Sequence, residues 1–266
     1  MLILYPPTGN HAPQAGAART LTSVNDRIDG VEAGFAPASP NVRFEMPDSE
    51  NILSIDADAV LWSANSADRV GRPLLLVLHG YGSNEGDLFS LSPHLPLEPV
   101  IAALRAPLPV GDGAAWFPIS NQPGRPDPSA VDAATVAVLD WLDALTEQPT
   151  SIGLLGFSQG GAMTLQLLRH APERFAFAVQ LSGFVADGGS AGDATLSTRR
   201  PPVFWGRGTV DPVIPADAIE RTAAWLAGHA TTTERIYEGL PHSISMPELA
   251  DIGAFLREQY AAAPRQ

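Results

Sequence analysis

Gly156-Phe157-Ser158-Gln159-Gly160-Gly161 joins the end of a β-type run to the start of a helical one. A serine on such a sharp strand-turn-helix junction needs small residues two positions before and two after it, so that strand and helix can pass one another. Gly156 and Gly160 supply them. The Ser158 hydroxyl is then presented above a sheet at the amino end of a helix, whose dipole favours a developing anion. A serine used this way needs a base and a group to orient the base, arriving in the chain order serine, acid, histidine. Asp211 lies in Arg207–Pro215, just past the apolar run Val203–Gly206, and His242 lies in Glu238–Ser243, just past the run ending at Tyr237. Loops beyond carboxyl strand ends are where such side chains converge. In this reading His242 takes the Ser158 proton and returns it to the leaving group, while Asp211 holds the imidazole tautomer and stabilises the imidazolium.

Two backbone N–H groups must face the developing oxyanion. Gln159, directly after the serine, offers one, and Tyr81 in His79-Gly80-Tyr81-Gly82 offers the other. His79 itself reads as structural. Among rival acids, Asp187 and Asp193 fall in a Gly/Ser-rich connection and read as solvated loop residues, and Asp217 opens a helix, where the dipole alone favours an acid. His170 and His229 sit near helix carboxyl ends, where a capping role accounts for them, and His11 and His94 have no motif around them. No histidine pair has metal-ligand spacing, so no metal is expected. Gly80, Gly111 and Gly206 each begin a G-x-G, but Glu85, Trp116 and Asp211 stand where the dinucleotide fingerprint requires its third glycine.

These residues need a frame, and the hydropathy pattern supplies one. Strand-like runs occur at Ala59–Ser63, Leu74–His79, Pro99–Leu104, Ser151–Phe157, Phe175–Leu181, Val203–Gly206 and Thr232–Tyr237. Helical patterns fall between them. One is capped by Asp127 with Pro128 at its first position and steps through Val131, Ala134, Val138, Leu142 and Leu145. Another covers Gly160–Ala171, one follows Pro215, and one follows Ser245, where Ser245-x-x-Glu248 forms a capping box. Alternating strands and helices predict an α/β protein with a mostly parallel sheet covered on both faces. Residues 1–45 mix Pro, Gly, Ala, Ser and Asn without a sustained period. They read as a disordered extension, with the folded domain over 46–266 and Met46 as a candidate later start.

Composition excludes much else. All 16 basic residues are arginine; the chain has neither lysine nor cysteine. Schiff-base and pyridoxal-phosphate chemistry, P-loop phosphate binding and Ser-Lys hydrolysis therefore fall away, as do thiolate nucleophiles, disulfides and iron–sulfur clusters. A formal charge of −13 argues against nucleic-acid binding. The longest apolar run, Pro73–Leu78, is far short of the ~20 residues of a membrane span, and the amino terminus lacks the basic region of a signal peptide.

Taken together, Leu78–Asp87, Ala115-Trp-Phe-Pro118, Gly156–Ala162, Leu181-Ser-Gly183, Val210–Pro215 and Pro241-His-Ser243 resemble, in order and spacing, the phospholipase/carboxylesterase family, which includes bacterial carboxylesterases and acyl-protein thioesterases. The resemblance runs from about residue 60 to 262. It implies an α/β-hydrolase fold without a large cap domain, the triad Ser158, Asp211 and His242, and Tyr81 and Gln159 as oxyanion donors. It also suggests that Trp116 and Phe117 line an acyl pocket, with plain core packing as the alternative for that pair. The family often has Asp where this chain has Pro118 and Gly where it has Pro241, differences that bear on substrate preference. The expectation is a serine carboxylesterase acting on small or short-acyl esters, cytoplasmic, monomeric or homodimeric, and needing no cofactor. A thioesterase on the same triad stays open. So do a lysophospholipase with an apolar rim from Leu88, Phe89, Leu91 and Leu95, and a non-catalytic ligand-binding relative.

Overall fold

Five apolar residues in a row, Leu74–Leu78, are satisfied only by a strand covered on both faces. In the computed structural model, which describes Leu4–Tyr5 and residues 53–262, that strand runs through the sheet. In chain order the strands are β1 (Leu4–Tyr5), β2 (Leu61–Trp62), β3 (Leu74–Leu78), β4 (Val100–Leu104), β5 (Leu108–Val110), β6 (Gly113–Ala115), β7 (Ile152–Phe157), β8 (Phe177–Leu181), β9 (Pro202–Gly208), β10 (Thr231–Tyr237) and β11 (Ile244–Ser245). The helices are α1 (Glu85–Phe89), α2 (Pro128–Asp143), α3 (Gln159–His170), α4 (Asp193–Arg199), α5 (Ala216–His229) and α6 (Met246–Ala262).

The main sheet has seven strands in the order β10-β9-β8-β7-β3-β4-β2, all parallel except β2, which runs antiparallel to β4. Alternation along β3 divides its side chains between two cores. Leu74, Leu76 and Leu78 pack under α2, α3 and α5 with Val131, Leu165 and Leu226, while Leu75 and Val77 pack under α1 and α6 with Leu88, Leu249 and Phe255. The chain leaves β3 for β4 on one side and later builds β7 and β8 on the other. The switch point therefore lies between β3 and β7, where open α/β sheets bind ligands. Register brings Leu78 level with Leu104 and Gly156, and Leu181 level with Gly206, so the loops beyond these strands emerge along one edge.

The fold is the α/β-hydrolase type, with no large cap domain among the described residues. Helix α2 begins as its sequence implies, Pro128 at its first position and the Asp127 carboxylate accepting the Ser129 N–H at 3.0 Å. The short helix α1, the β5-β6 hairpin, helix α4 and the two-residue strands β1 and β11 were not anticipated. The edge strand shrinks to two residues. Residues 6–52 lie outside the described ones, and with them the expected 45/46 boundary, Met46 and His11; within the expected extension only β1 is described, pairing in parallel with β11.

Asp193 is not a solvated loop residue. It opens α4 and forms a two-point ion pair with Arg169, both contacts at 2.9 Å, and Arg169 is 2% exposed. Arg169 also donates to the Ala186 and Gly188 carbonyls and to the Gln166 side chain, so the buried guanidinium is satisfied and pins the connection after β8 to α3. Burial opposes the Asp193 charge, but the Arg169 partner and the Ser190 N–H outweigh it and hold this carboxyl below its ordinary value. Leu88, Leu91 and Leu95 are buried in the α1/α6 core with Phe89 packed against it, so they do not form an apolar rim.

The capping box of α6 forms as expected. Ser245 Oγ accepts the Glu248 N–H at 3.2 Å, and a Glu248 carboxylate oxygen faces the Ser245 N–H at 3.4 Å. Glu248 is 1% exposed; burial pushes its carboxyl up to about 8 against the opposing pull of the Ser245 N–H. Because the folded value lies above the ordinary 4.5, the stability linked to this proton is fully present below pH 4.5 and is lost as pH rises through about 8. Glu248→Gln should therefore gain on the wild type by on the order of 4 kcal/mol between pH 5 and pH 9. Urea unfolding of both proteins at the two pH values measures this, and a stability difference independent of pH would refute it.

Candidate active site

Ser158 terminates β7 and caps α3 with φ 56° and ψ −116°, a conformation that costs a non-glycine residue about 1–3 kcal/mol. The surroundings impose it. The Ser158 N–H donates to the Leu181 carbonyl at 2.8 Å and its carbonyl accepts the Ala162 N–H at 3.0 Å, so strand and helix hold the turn from both ends. A Cβ on Gly160 would lie 1.9 Å from the Leu78 carbonyl oxygen, and one on Gly156 would lie 2.2 Å from that of Gly160. Both positions therefore require glycine, as the spacing implied.

Two loops arrive at this turn. His242 Nε2 lies 2.8 Å from Ser158 Oγ, and His242 Nδ1 lies 2.7 Å from Asp211 Oδ2. The other Asp211 oxygen accepts the Val213 and Ile214 N–H groups at 2.8 and 3.2 Å. With its side chain 4% exposed, Asp211 would be pushed up by burial alone, but the His242 hydrogen bond and charge and the two N–H donors outweigh that and hold it below the ordinary carboxyl value. An ionised Asp211 accepts from Nδ1–H, which leaves Nε2 free to accept from the Ser158 hydroxyl. The loops are joined by backbone, the Val210 N–H donating to the Leu240 carbonyl at 3.3 Å, and the Phe157 ring packs against the His242 ring at 4.7 Å.

The His79–Gly82 loop lies beside the serine; a Cβ on Gly80 would be 3.5 Å from Ser158 Cβ. Tyr81, Ser158 and Gln159 line one cavity, and in the first turn of α3 the Gln159 N–H has no acceptor within the helix. His79 is structural. Nδ1–H donates to the Gly80 carbonyl at 2.7 Å, Nε2 accepts the Ala106 N–H at 3.1 Å, and the ring is 1% exposed, so burial lowers its basicity and keeps it neutral. Sequence reasoning missed the Gln159 side chain. Its Oε1 accepts the Trp116 N–H at 2.8 Å and its Nε2 donates to the Phe117 carbonyl at 2.6 Å, bracing the chain where it leaves β6. Neither motif nor period signals this contact, because its partners lie more than forty residues earlier in the chain.

A cavity of about 140 Å³ opens at Ser158, with Tyr81, Phe117, Ile119, Phe184, Val213 and Ile214 among its apolar walls. Phe117 thus lies on the cavity. Trp116 does not: it is fully buried behind the wall, its indole N–H donating to the His79 carbonyl at 2.8 Å, so core packing accounts for it. The rival groups lie elsewhere. His170 contacts Asp132 at 2.9 Å, and His229 stacks on Trp225. Asp187 and Asp217 are engaged by Arg125, so Asp187 too is more than a solvated loop residue.

A family model described as phospholipase/carboxylesterase matches residues 63–260. The chain belongs to this family of ester-hydrolysing α/β-hydrolases. It is 29% identical over 216 residues to a probable carboxylesterase SOBER1-like of Arabidopsis thaliana, spanning 72% of this chain and 80% of the relative. It is 26% identical over 205 residues to an acyl-protein thioesterase 1 of Kluyveromyces lactis, spanning 69% and 90%. Among solved structures, the carboxylesterase of Bacillus cereus shares the fold with a TM-score of 0.64 at 21% identity, over 75% of this chain and 93% of that one. Esterase PE8 aligns with a TM-score of 0.58 at 26% identity, over 77% and 98%. Among the described residues no helix is long and apolar enough to cross a membrane.

The Gln159 brace can be tested apart from the serine. Gln159→Leu keeps the backbone N–H but strips partners from the buried Trp116 N–H and Phe117 carbonyl, at about 1–3 kcal/mol for each unsatisfied group. We expect a lower urea midpoint and a raised KM, with labelling of Ser158 by a fluorophosphonate retained. An unchanged midpoint would show that the brace contributes nothing.

Proposed function

We propose that this protein is a serine carboxylesterase that hydrolyses small or short-acyl carboxylic esters through an acyl-enzyme. The observation that carries the proposal is the continuous relay Ser158–His242–Asp211, with links of 2.8 and 2.7 Å. His242 Nε2 accepts the hydroxyl proton as Ser158 Oγ attacks the ester carbonyl. The oxyanion is met by the Tyr81 and Gln159 N–H groups, which are fixed by the fold before the substrate arrives and so need no reorganisation. The imidazolium then gives its proton to the departing alkoxide. Water attacks the acyl-enzyme with His242 again as base, and the acid is released with Ser158 restored. Asp211 stays ionised throughout, holding the tautomer.

The cavity supports the choice of substrate. At about 140 Å³ it is close to the ~150 Å³ apolar cavity that accommodates one benzene molecule, room for a short acyl group rather than a long lipid chain. A thioesterase reading uses the same relay. It is favoured by the apolar mouth, where Ile119 and Val213 are 63% and 50% exposed and could follow a longer acyl chain outward. We place the enzyme in the cytoplasm as a monomer or homodimer.

Purified protein should hydrolyse p-nitrophenyl butyrate. Ser158→Ala should abolish this turnover, and Asp211→Asn should lower kcat by about 10⁴ by selecting the wrong imidazole tautomer. Butyrate hydrolysis undiminished in Ser158→Ala would falsify the proposal; thioester turnover exceeding oxyester turnover at matched acyl length would select the second reading.

A further inference from the structure

Half of the cavity lining comes from one segment, residues 118–126, which has neither strand nor helix and offers little apolar surface to the core. Pro126 is buried at its end, whereas Ile119, Gln122 and Pro123 are exposed. Three polar ties hold this wall to the rest of the protein. Arg125, the only ionisable residue in the segment, contacts Asp187 beyond β8 and, at 3.0 Å, Asp217 in the first turn of α5. Arg221, one turn along α5, lies 2.9 Å from Asp187 and 3.7 Å from Asp217, and donates to the carbonyls of Gly124 and, at 3.2 Å, Val185. Gly124 has φ +72°, and a Cβ there would lie 2.8 Å from that of Ala218, so this part of the wall is seated directly on α5.

We infer that this cluster of two arginines and two aspartates sets the acyl-length limit of the enzyme, by clamping the 118–126 wall along the cavity. The inference rests on the esterase function proposed above. The four residues touch no reacting atom; they are positioning residues. Opening the clamp lets the wall move outward, which admits longer acyl chains while leaving the Ser158–His242–Asp211 relay and the short-chain reaction intact. Half-exposed ion pairs are screened by salt, so the limit itself should depend on ionic strength.

The test compares kcat/KM for p-nitrophenyl acetate, butyrate, octanoate and dodecanoate in wild type, Arg125→Met, Asp187→Asn and the double variant. In each variant we expect butyrate turnover within about threefold of wild type and an octanoate-to-butyrate ratio raised by ~10-fold or more, the scale of one or two extra methylenes in a pocket. The double variant should show no more than the larger single effect, since both substitutions open the same clamp. Wild type in 1 M NaCl should shift its ratio in the same direction, a readout that needs no variant, and a folded Arg125→Met should show no such shift. A ratio unchanged in folded variants and in salt, or octanoate and butyrate activity falling together, overturns the inference and leaves the esterase function standing. Hydrolysis that survives Ser158→Ala overturns that function, and the inference with it.

Discussion

Everything at the site depends on how closely β7 can approach α3. The turn at Ser158 exists because Gly156 and Gly160 have no side chains, and because the carbonyls of Leu78 and Gly160 occupy the space where Cβ atoms would go. That packing forces Ser158 to a positive φ, which raises the hydroxyl above the sheet and puts the first N–H groups of α3 beneath it. The cost of the strained turn is offset by the continuous hydrogen bonding of the neighbouring β8 and by the apolar layers on both faces of β3 and β7. A site built on a loop alone would not hold this geometry. Here the turn is the single residue Ser158 between a central strand and a buried helix.

Around the turn, buried polar groups act as fixed struts. Neutral His79 links the oxyanion-side loop to the chain after β4, and Trp116 reaches the His79 carbonyl from behind. The Gln159 side chain carries the same framework to Phe117 at the cavity wall. Each of these groups is paired, so low local polarity strengthens the bonds instead of penalising them. Farther out, struts give way to charges. The wall at 118–126 is held by arginine–aspartate contacts near solvent, where the same interactions are weaker and more easily exchanged. Buried, paired groups thus hold the atoms that must align for chemistry, and half-exposed charges hold the wall that shapes the room for substrate.

The main strands and the long helices were legible because their signals are local and repetitive. β3, β4 and β7 are unbroken apolar runs, and α2 announces its start with Asp127-Pro128. The short elements were not legible. Helix α4 spans seven residues, too few for its period to stand out, and is stabilised by Asp193 meeting Arg169 across the fold. The β5-β6 hairpin is three residues a side, and one of them is Pro109. Leu88 and Leu91 could have been rim or core from their spacing alone; only the position of α6 against α1 decided in favour of core.

The serine junction, the order in which Asp211 and His242 follow it, and the exclusion of amine and thiol chemistry can be read from the chain alone, because residue identity and nearest-neighbour spacing carry that information. Folding was needed to bring His242 within 2.8 Å of Ser158 Oγ, to make Trp116 framework and Phe117 cavity wall, and to form the Gln159–Trp116 and Arg125–Asp187 contacts. The physical reason is range. Turns, caps and strands are set by interactions within a few residues, whereas each of these contacts joins segments tens of residues apart, whose distance is fixed only once the sheet has chosen its strand order and packed its two faces.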